Sequence, residues 1–514
     1  MILALLIAIP IAFGVLAWYS DRINASLPRR LSFLAMAIDL GLIVLLWAGA
    51  VPQEGVWIAE FKVNWVPQLG ISLHFAMDGL SLVFTALTAA LGLASIVASW
   101  TEVKERPGFF HFNLLWALAG IMGTFLSMDL FVFYFFWELM LFPMYFMISV
   151  WGHRKRHYAS VKFFIFTQAG GLLMLVSILA LYFIHGSSTG DYSFDFTDLS
   201  RTELSPVVEV LLMLGFLAAF AVKLPILPLH TWLPDAHTEA PAAGSVILAG
   251  LLLKTGAYGF IRFMLPLFPG ASSLFAPLAL VLGAAAVIYG ALLAFAQRDI
   301  KRLVAYTSVS HMGFVLIGIF AFNGLALNGA LMLAVCHGFA TGALFMVAGW
   351  LQERMDTREM RLMGGLWAAA PMMGAATLFF ALASLGAPGL GNFVGEFLVL
   401  LGAFRAYEVV ASFAATGLVL AAVYSLWIVQ RVFHGPYERK AGIKDLNGRE
   451  LSAMVVMAAI IIWLGVYPQP VLDQLGRMVL AEGNGQITAQ SPEDDVFSDF
   501  RIEPGIKHPG LLEI

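Results

Sequence analysis

"AFAVKLPILPLHTWLPDAH", residues 219–237, ends a long apolar run in a lysine, Lys223, and then places three prolines, Pro225, Pro228 and Pro234, within eleven positions. A lysine is costly in hydrocarbon. Proline removes a backbone donor and breaks a helix. Both are tolerated at membrane depth only where the freed backbone groups meet water or protein. The stretch therefore predicts a broken membrane helix over 206–227. A buried amine stands at its break, beside a polar pocket made by the carbonyls that Pro225 and Pro228 release.

Composition supports the membrane premise. Of 514 residues, 60% are hydrophobic and 12% charged, and the mean hydropathy is +0.85. A soluble domain carries about 25% charge. The net charge of −4 offers no basic face for nucleic acid. One cysteine, Cys336, excludes disulfides, cysteine-ligated iron–sulfur clusters and thiolate zinc sites within the chain. The first segment, 1–18, is apolar from its first residue and lacks a basic leader, so it reads as a retained helix.

A bilayer core needs about 20 apolar residues in helix, and the chain offers about fourteen such stretches. The fold class expected is an all-α polytopic membrane protein. The segment 51–77 alternates too much for a span and reads as a surface hairpin. The tail 480–514 is polar and reads as an extended arm. Nineteen of the 29 lysines and arginines fall in loops after odd-numbered spans, against four on the opposite side. The positive-inside rule then puts both termini outside the cytoplasm, in the periplasm for a bacterial inner-membrane protein.

Helix grouping suggests a repeat. Residues 109–266 and 271–433 each hold five spans, and the fourth in each is broken: 206–227 by its prolines, and 370–403 by "SLGAPGLGN" at 384–392. Units of five helices are inverted relative to one another, and paired broken helices mark an ion path. Residues 1–108 hold three further helices and the hairpin. Residues 434–514 hold the last helix and the tail.

Few spans carry a buried ionisable group. Glu138 lies nine residues from Asp129, roughly 14 Å deep at 1.5 Å per residue. Lys223 lies in the span 206–227 and Lys254 in the span 240–266. His311 and His337 follow, and Glu396 stands after the second break. Each charge at a helix centre costs at least about 2.5–3.5 kcal/mol, so the series predicts a proton pathway. Bland readings stand beside it. Glu138 and Lys223 could be a static pair, and each histidine a neutral core residue bonded to a carbonyl. Asp39 falls outside both five-helix units and reads as structural or partner-facing. Lys162 reads as snorkelling to the cytoplasmic surface. Within the series, an amine at a hinge with a carboxylate nearby is a switchable proton site.

The segments "FYFFWELMLFPMYFMI", "KLPILPLHTWLPDAHTEAP", "LLLKTGAYG", "SVSHMG" and "GNFVGEF" resemble the antiporter-like membrane subunits of respiratory complex I, NADH:quinone oxidoreductase. The resemblance covers nearly the whole chain. Its "LPDAHTEAP" run extends to Mrp-type antiporters and membrane-bound hydrogenases. It implies a proton-translocating subunit with discontinuous seventh and twelfth helices. Its partners would be other membrane-arm subunits, including sister antiporter-like subunits, and the lipid bilayer. By the resemblance, Glu138 and Lys223 are the coupling pair, Lys254 the central lysine, His311 and His337 the bridging histidines, and Glu396 the exit carboxylate. Glu396 stands where sister subunits have lysine. No dinucleotide fingerprint or cluster-ligand set is present, so no cofactor or metal is expected in this chain, and redox chemistry would belong to other subunits. Two alternatives are a stand-alone or Mrp-type cation/proton antiporter, and an electron-transfer protein with His311 and His337 as axial haem ligands.

Overall fold

The computed structural model describes residues 1–49, 57–436, 443–476 and 478. The chain is built almost wholly from helices: α1 (Ile2–Ser20), α2 (Leu27–Gly49), α3 (Gly79–Ala98), α4 (Pro107–Leu126), α5 (Leu130–Trp151), α6 (Arg156–Thr189), α7 (Pro206–Lys223), α8 (Trp232–Glu239) and α9 (Ala242–Leu267). They are followed by α10 (Pro269–Ala296), α11 (Ile300–Phe320), α12 (Gly324–Met355), α13 (Pro371–Ser384), α14 (Gly391–Ala406), α15 (Glu408–Phe433), α16 (Gly448–Val466) and α17 (Gln469–Leu475). Among the described residues, 13 helices are long and apolar enough to cross a membrane. The segment expected as a broken span over 370–403 consists of α13 and α14, of 14 and 16 residues, each too short to cross alone.

Local chemistry sets the helix starts. Asp78 accepts from Ser81 N at the start of α3, Asp129 from Phe131 N and Val132 N at α5, and Asp299 from Arg302 N at α11. Asn323 does the same for α12, and Asn447 with Glu450 closes a reciprocal box on α16. Each satisfies donors that a helix start leaves open. The helices sort into an inner and an outer set. α9 and α12 are enclosed on all sides and α3, α4 and α11 nearly so, whereas α1, α2, α6 and α16 are largely exposed. The exposed positions are apolar, as a lipid-facing surface requires.

The hairpin expected within 51–77 is present in its described part. β1 (Ala59–Val66) pairs antiparallel with β2 (Ile71–Met77) around Gly70, whose φ of +64° suits only glycine without strain. β2 is tied to the chain before α5, where Met128 N donates to the His74 carbonyl. Residues 480–514 and 51–56 lie outside the described residues, so the extended-arm reading of the tail falls outside them too.

The loops gather on two faces. On one, α2 and α16 begin, α3 ends, and the turn between α8 and α9 meets the loops before α6, α11 and α13. The other holds the hairpin, the loop before α5 and the segment 190–205. The described basic loop residues after odd-numbered spans lie on the first face.

The break after Lys223 differs from expectation in one respect. Pro225 and Pro228 do end α7, but two of the carbonyls freed at the break do not stand open. Ile226 N takes the Ala221 carbonyl at 2.9 Å, and the Trp232 indole takes that of Val222 at 2.9 Å. A buried carbonyl left bare is expensive, and the chain turns back far enough to cover both. The second break, at 385–390, runs through Gly386 (φ +75°) and Gly389 (φ +87°).

Candidate functional site

Glu138 lies on α5 and Lys223 ends α7. The Lys223 ammonium is buried, makes no hydrogen bond, and stands 5.2 Å from the centre of the Trp137 ring and 5.9 Å from that of Phe163. Two aromatic faces thus stand in for water around the amine. Glu138 is its charged neighbour, and the two interact electrostatically. Glycines make the room. A Cβ on Gly171 of α6 would sit 2.2 Å from Glu138 Oε1, and one on Gly256 of α9 would sit 3.1 Å from Lys223 Cβ.

The remaining four expected residues form a row through the enclosed helices. Lys254 Nζ donates to the Ala249 carbonyl at 2.6 Å and lies 2.7 Å from His337 Nδ1. Ala249 belongs to a π-helical stretch, Leu248–Leu252, and a second π stretch, Phe260–Met264, follows Lys254. Such bulges occur often at functional positions because they turn a backbone carbonyl out of the ladder. The His337 ring lies edge-on to that of His311, 5.3 Å between centres at 63°. His311 Nε2 lies 3.5 Å from Glu396 Oε1.

His311 meets backbone carbonyls, as its structural reading expects, and a carboxylate besides. Nδ1 faces the Thr307 carbonyl and Nε2 the Ser384 carbonyl, each at 2.8 Å. Carbonyls only accept, so the neutral ring makes one of these bonds and the protonated ring makes both. Ser384 is the last residue of α13, so its carbonyl is free because the helix breaks there. The second break thus turns a free carbonyl toward an imidazole, while at the first the Ala221 and Val222 carbonyls are taken up by the chain's own donors.

Glu396 has no hydrogen-bond partner among the described residues, and a Cβ on Gly386 would sit 2.1 Å from its Oε2. Asp39 lies apart, buried on α2 with both oxygens without a partner. Lys162 meets Asp235 at 2.7 Å near the first face, so its amine is paired rather than only reaching solvent.

Sequence reading missed two groups near the row. His237 on α8 is fully buried, stacks on Phe345 at 4.5 Å and 8°, and has both nitrogens free of hydrogen bonds. It feels the charges of Lys301 and Lys254. Lys301, on the first turn of α11, is fully buried and donates to the Ala240 carbonyl at 3.1 Å. His237 stands inside the quoted opening stretch. Its polar neighbours Asp235, Thr238 and Glu239 make the segment look like a surface turn, and only the fold carries α8 back into the interior.

An enclosed row of ionisable side chains inside a bundle of apolar helices is the arrangement of an ion-translocating membrane protein. A family described as NADH:quinone oxidoreductase/Mrp antiporter, TM, matches residues 127–422. NADH-quinone oxidoreductase subunit M of Pseudomonas aeruginosa is 54% identical over 486 residues, spanning 92% of this chain and 96% of that one. The subunit M of Escherichia coli strain K12 is 49% identical over 490 residues with the same shares. A chain of respiratory complex I from Thermus thermophilus with bound NADH superposes with a TM-score of 0.84 at 33% identity, covering 94% of this chain and 100% of that one. A chain of the Mrp complex from Dietzia sp. DQ12-45-1b shares the fold, with a TM-score of 0.80 at 20% identity, covering 95% of this chain and 98% of that one. The chain belongs to the NADH:quinone oxidoreductase/Mrp antiporter membrane family, in its subunit M branch.

Proposed function

We propose that the chain is a proton-translocating, antiporter-like subunit of a NADH:quinone oxidoreductase, driven by redox chemistry in other subunits. The observation that carries this reading is the row Lys254, His337, His311 and Glu396, with contacts of 2.7 Å at one end and 3.5 Å at the other. Protons enter from the face rich in lysine and arginine, pass Lys223 and then this row through intervening water, and leave beyond Glu396. Glu138 couples the row to neighbouring subunits by moving toward or away from Lys223, which changes how readily the amine holds its proton. His237 and Lys301 stand on the uptake side as further titratable groups.

α13 and α14 together make one discontinuous span, and α7 with α8 another, for fourteen spans in all. Residues 109–266 and 271–433 are the two inverted units. The gathering of the basic loops on one face supports a cytoplasmic side there and both termini in the periplasm, in a bacterial inner membrane. Sister antiporter-like subunits are the neighbours. The chain holds no redox centre of its own.

The test is NADH-driven acidification of sealed inverted vesicles, normalised to assembled complex. Lys223→Ala and Glu138→Ala abolish most pumping, and Asp39→Asn leaves it unchanged. Normal pumping by an assembled Lys223→Ala complex removes the core of the proposal. Purification of the chain free of NADH:quinone reductase activity would instead favour a stand-alone antiporter.

A further inference from the structure

Two arginines on the first face share one indole. Arg29, on the first turn of α2, lies 5.6 Å from the centre of the Trp100 ring, and Arg449, on the first turn of α16, lies 5.3 Å from the same centre. The two guanidiniums are therefore no more than about 11 Å apart, and they repel each other. Each also stands at a helix N-terminus, where the backbone dipole already disfavours a cation.

Neither arginine forms an ion pair among the described residues. The nearby carboxylates are otherwise engaged: Glu450 pairs with Arg354 at 2.6 Å, and exposed Glu353 accepts from Thr101 at 3.2 Å. Arg29 donates once, to the Trp100 carbonyl at 2.8 Å. Arg449 makes no described hydrogen bond, and its Nε is shut away from water without a partner. A guanidinium carries five donors, so most of the donors of this pair have no acceptor among the described residues.

The surroundings are those of a lipid headgroup. Trp100 lies at the end of α3, at the level of the membrane–water boundary where indoles anchor spans. α2 and α16 both pack on α3, and both are largely exposed and apolar on their outer sides. Two cations without a carboxylate partner among the described residues thus stand at the ends of two apolar, outward-facing helices that both pack on α3. We infer that Arg29, Trp100 and Arg449 form a binding site for an anionic phospholipid, whose phosphodiester bridges the guanidiniums while its chains lie along the exposed sides of α2 and α16. This inference needs only that the chain spans a membrane, with or without the proton pathway.

The assembled complex, stripped of lipid in mild detergent, is titrated with phosphatidylglycerol and separately with phosphatidylcholine, and bound lipids are counted by native mass spectrometry. The Arg29→Gln/Arg449→Gln variant should hold one phosphatidylglycerol fewer. The affinity for that lipid should fall about 25-fold, from about fivefold for each basic residue facing an anionic headgroup. Phosphatidylcholine binding should be unchanged. The matched control Arg22→Gln, which removes a guanidinium 5.5 Å from the Tyr19 ring, should keep the full count. Unchanged NADH:quinone reductase activity certifies assembly in every variant. An unaltered phosphatidylglycerol count overturns the proposal. So does an equal loss of both lipids, which would make the arginines packing elements of α2 and α16, or a cross-link placing an acidic protein segment against Trp100.

Discussion

Gly171→Ala is the sharpest perturbation the outer pair allows. The added methyl lands on α6, where alanine favours the helix by up to about 1 kcal/mol over glycine, so local folding does not suffer. Its Cβ would stand 2.2 Å from Glu138 Oε1, against 3.4 Å for ordinary contact, so the carboxylate must retreat by about 1.2 Å. The two charges form no direct ion pair; for a separation of about 5 Å at an effective dielectric near 20, the attraction is about 3.3 kcal/mol, and that retreat lowers it to about 2.7 kcal/mol. The loss, about 0.6 kcal/mol, shifts the balance between proton-loaded and unloaded Lys223 about threefold. Vesicle acidification per NADH oxidised should fall by about that factor while reductase activity persists. Glu138→Asp alone should also fall, because one C–C bond, about 1.5 Å, separates the two carboxylate positions. The combination Gly171→Ala/Glu138→Asp should pump better than Gly171→Ala, since the shorter side chain vacates the space that the methyl fills. Full pumping by Gly171→Ala, or a double variant worse than either single one, would refute the view that the carboxylate position sets the state of Lys223.

At the other end, Glu396→Lys should keep part of the pumping and Glu396→Ala lose most of it, because only the lysine offers a titrating group there; lysine equal to or worse than alanine would make Glu396 a mere anchor for the break. Gly386→Ala and Gly389→Ala both place a side chain at positive φ, at about 1–2 kcal/mol each, but only the first drives a Cβ against Glu396, to 2.1 Å, while the second meets nothing within 4 Å. Pumping should therefore suffer far more from Gly386→Ala, and equal losses would assign the effect to backbone strain. On the opposite face, burial raises the Asp195 carboxyl, but hydrogen bonds from His74 and Lys62 and the His74 charge outweigh it and hold the group below the usual carboxylate range. A lowered folded value means that its stabilisation is complete above the ordinary aspartate range near 3.9 and is lost only as pH falls through the folded value. Limited proteolysis of the 59–77 hairpin should accordingly be slow in the wild type down to about pH 4, and fast already at neutral pH in Asp195→Asn.

The sequence by itself determined the membrane class, the number and placing of most spans, the hairpin and the six members of the proposed pathway. These follow from local quantities. Twenty apolar residues need a bilayer, alternation needs a surface strand, and an ionisable group inside an apolar run stands out against its neighbours. Lys254 and Glu396 were legible for that reason alone. What the tertiary structure decided is which of these groups meet. The 2.7 Å approach of Lys254 to His337 joins residues 83 positions apart, and the Ser384 carbonyl reaches His311 across 73. Neither distance is written in any spacing, because helix order along the chain does not determine helix order in the bundle. The fate of the broken backbone was hidden in the same way. Proline announces that carbonyls are freed, but whether a distant donor such as the Trp232 indole reclaims them depends on how the chain returns. His237 shows the limit most clearly: its neighbours make it look solvated, and only the packing of α8 beneath Phe345 removes it from water.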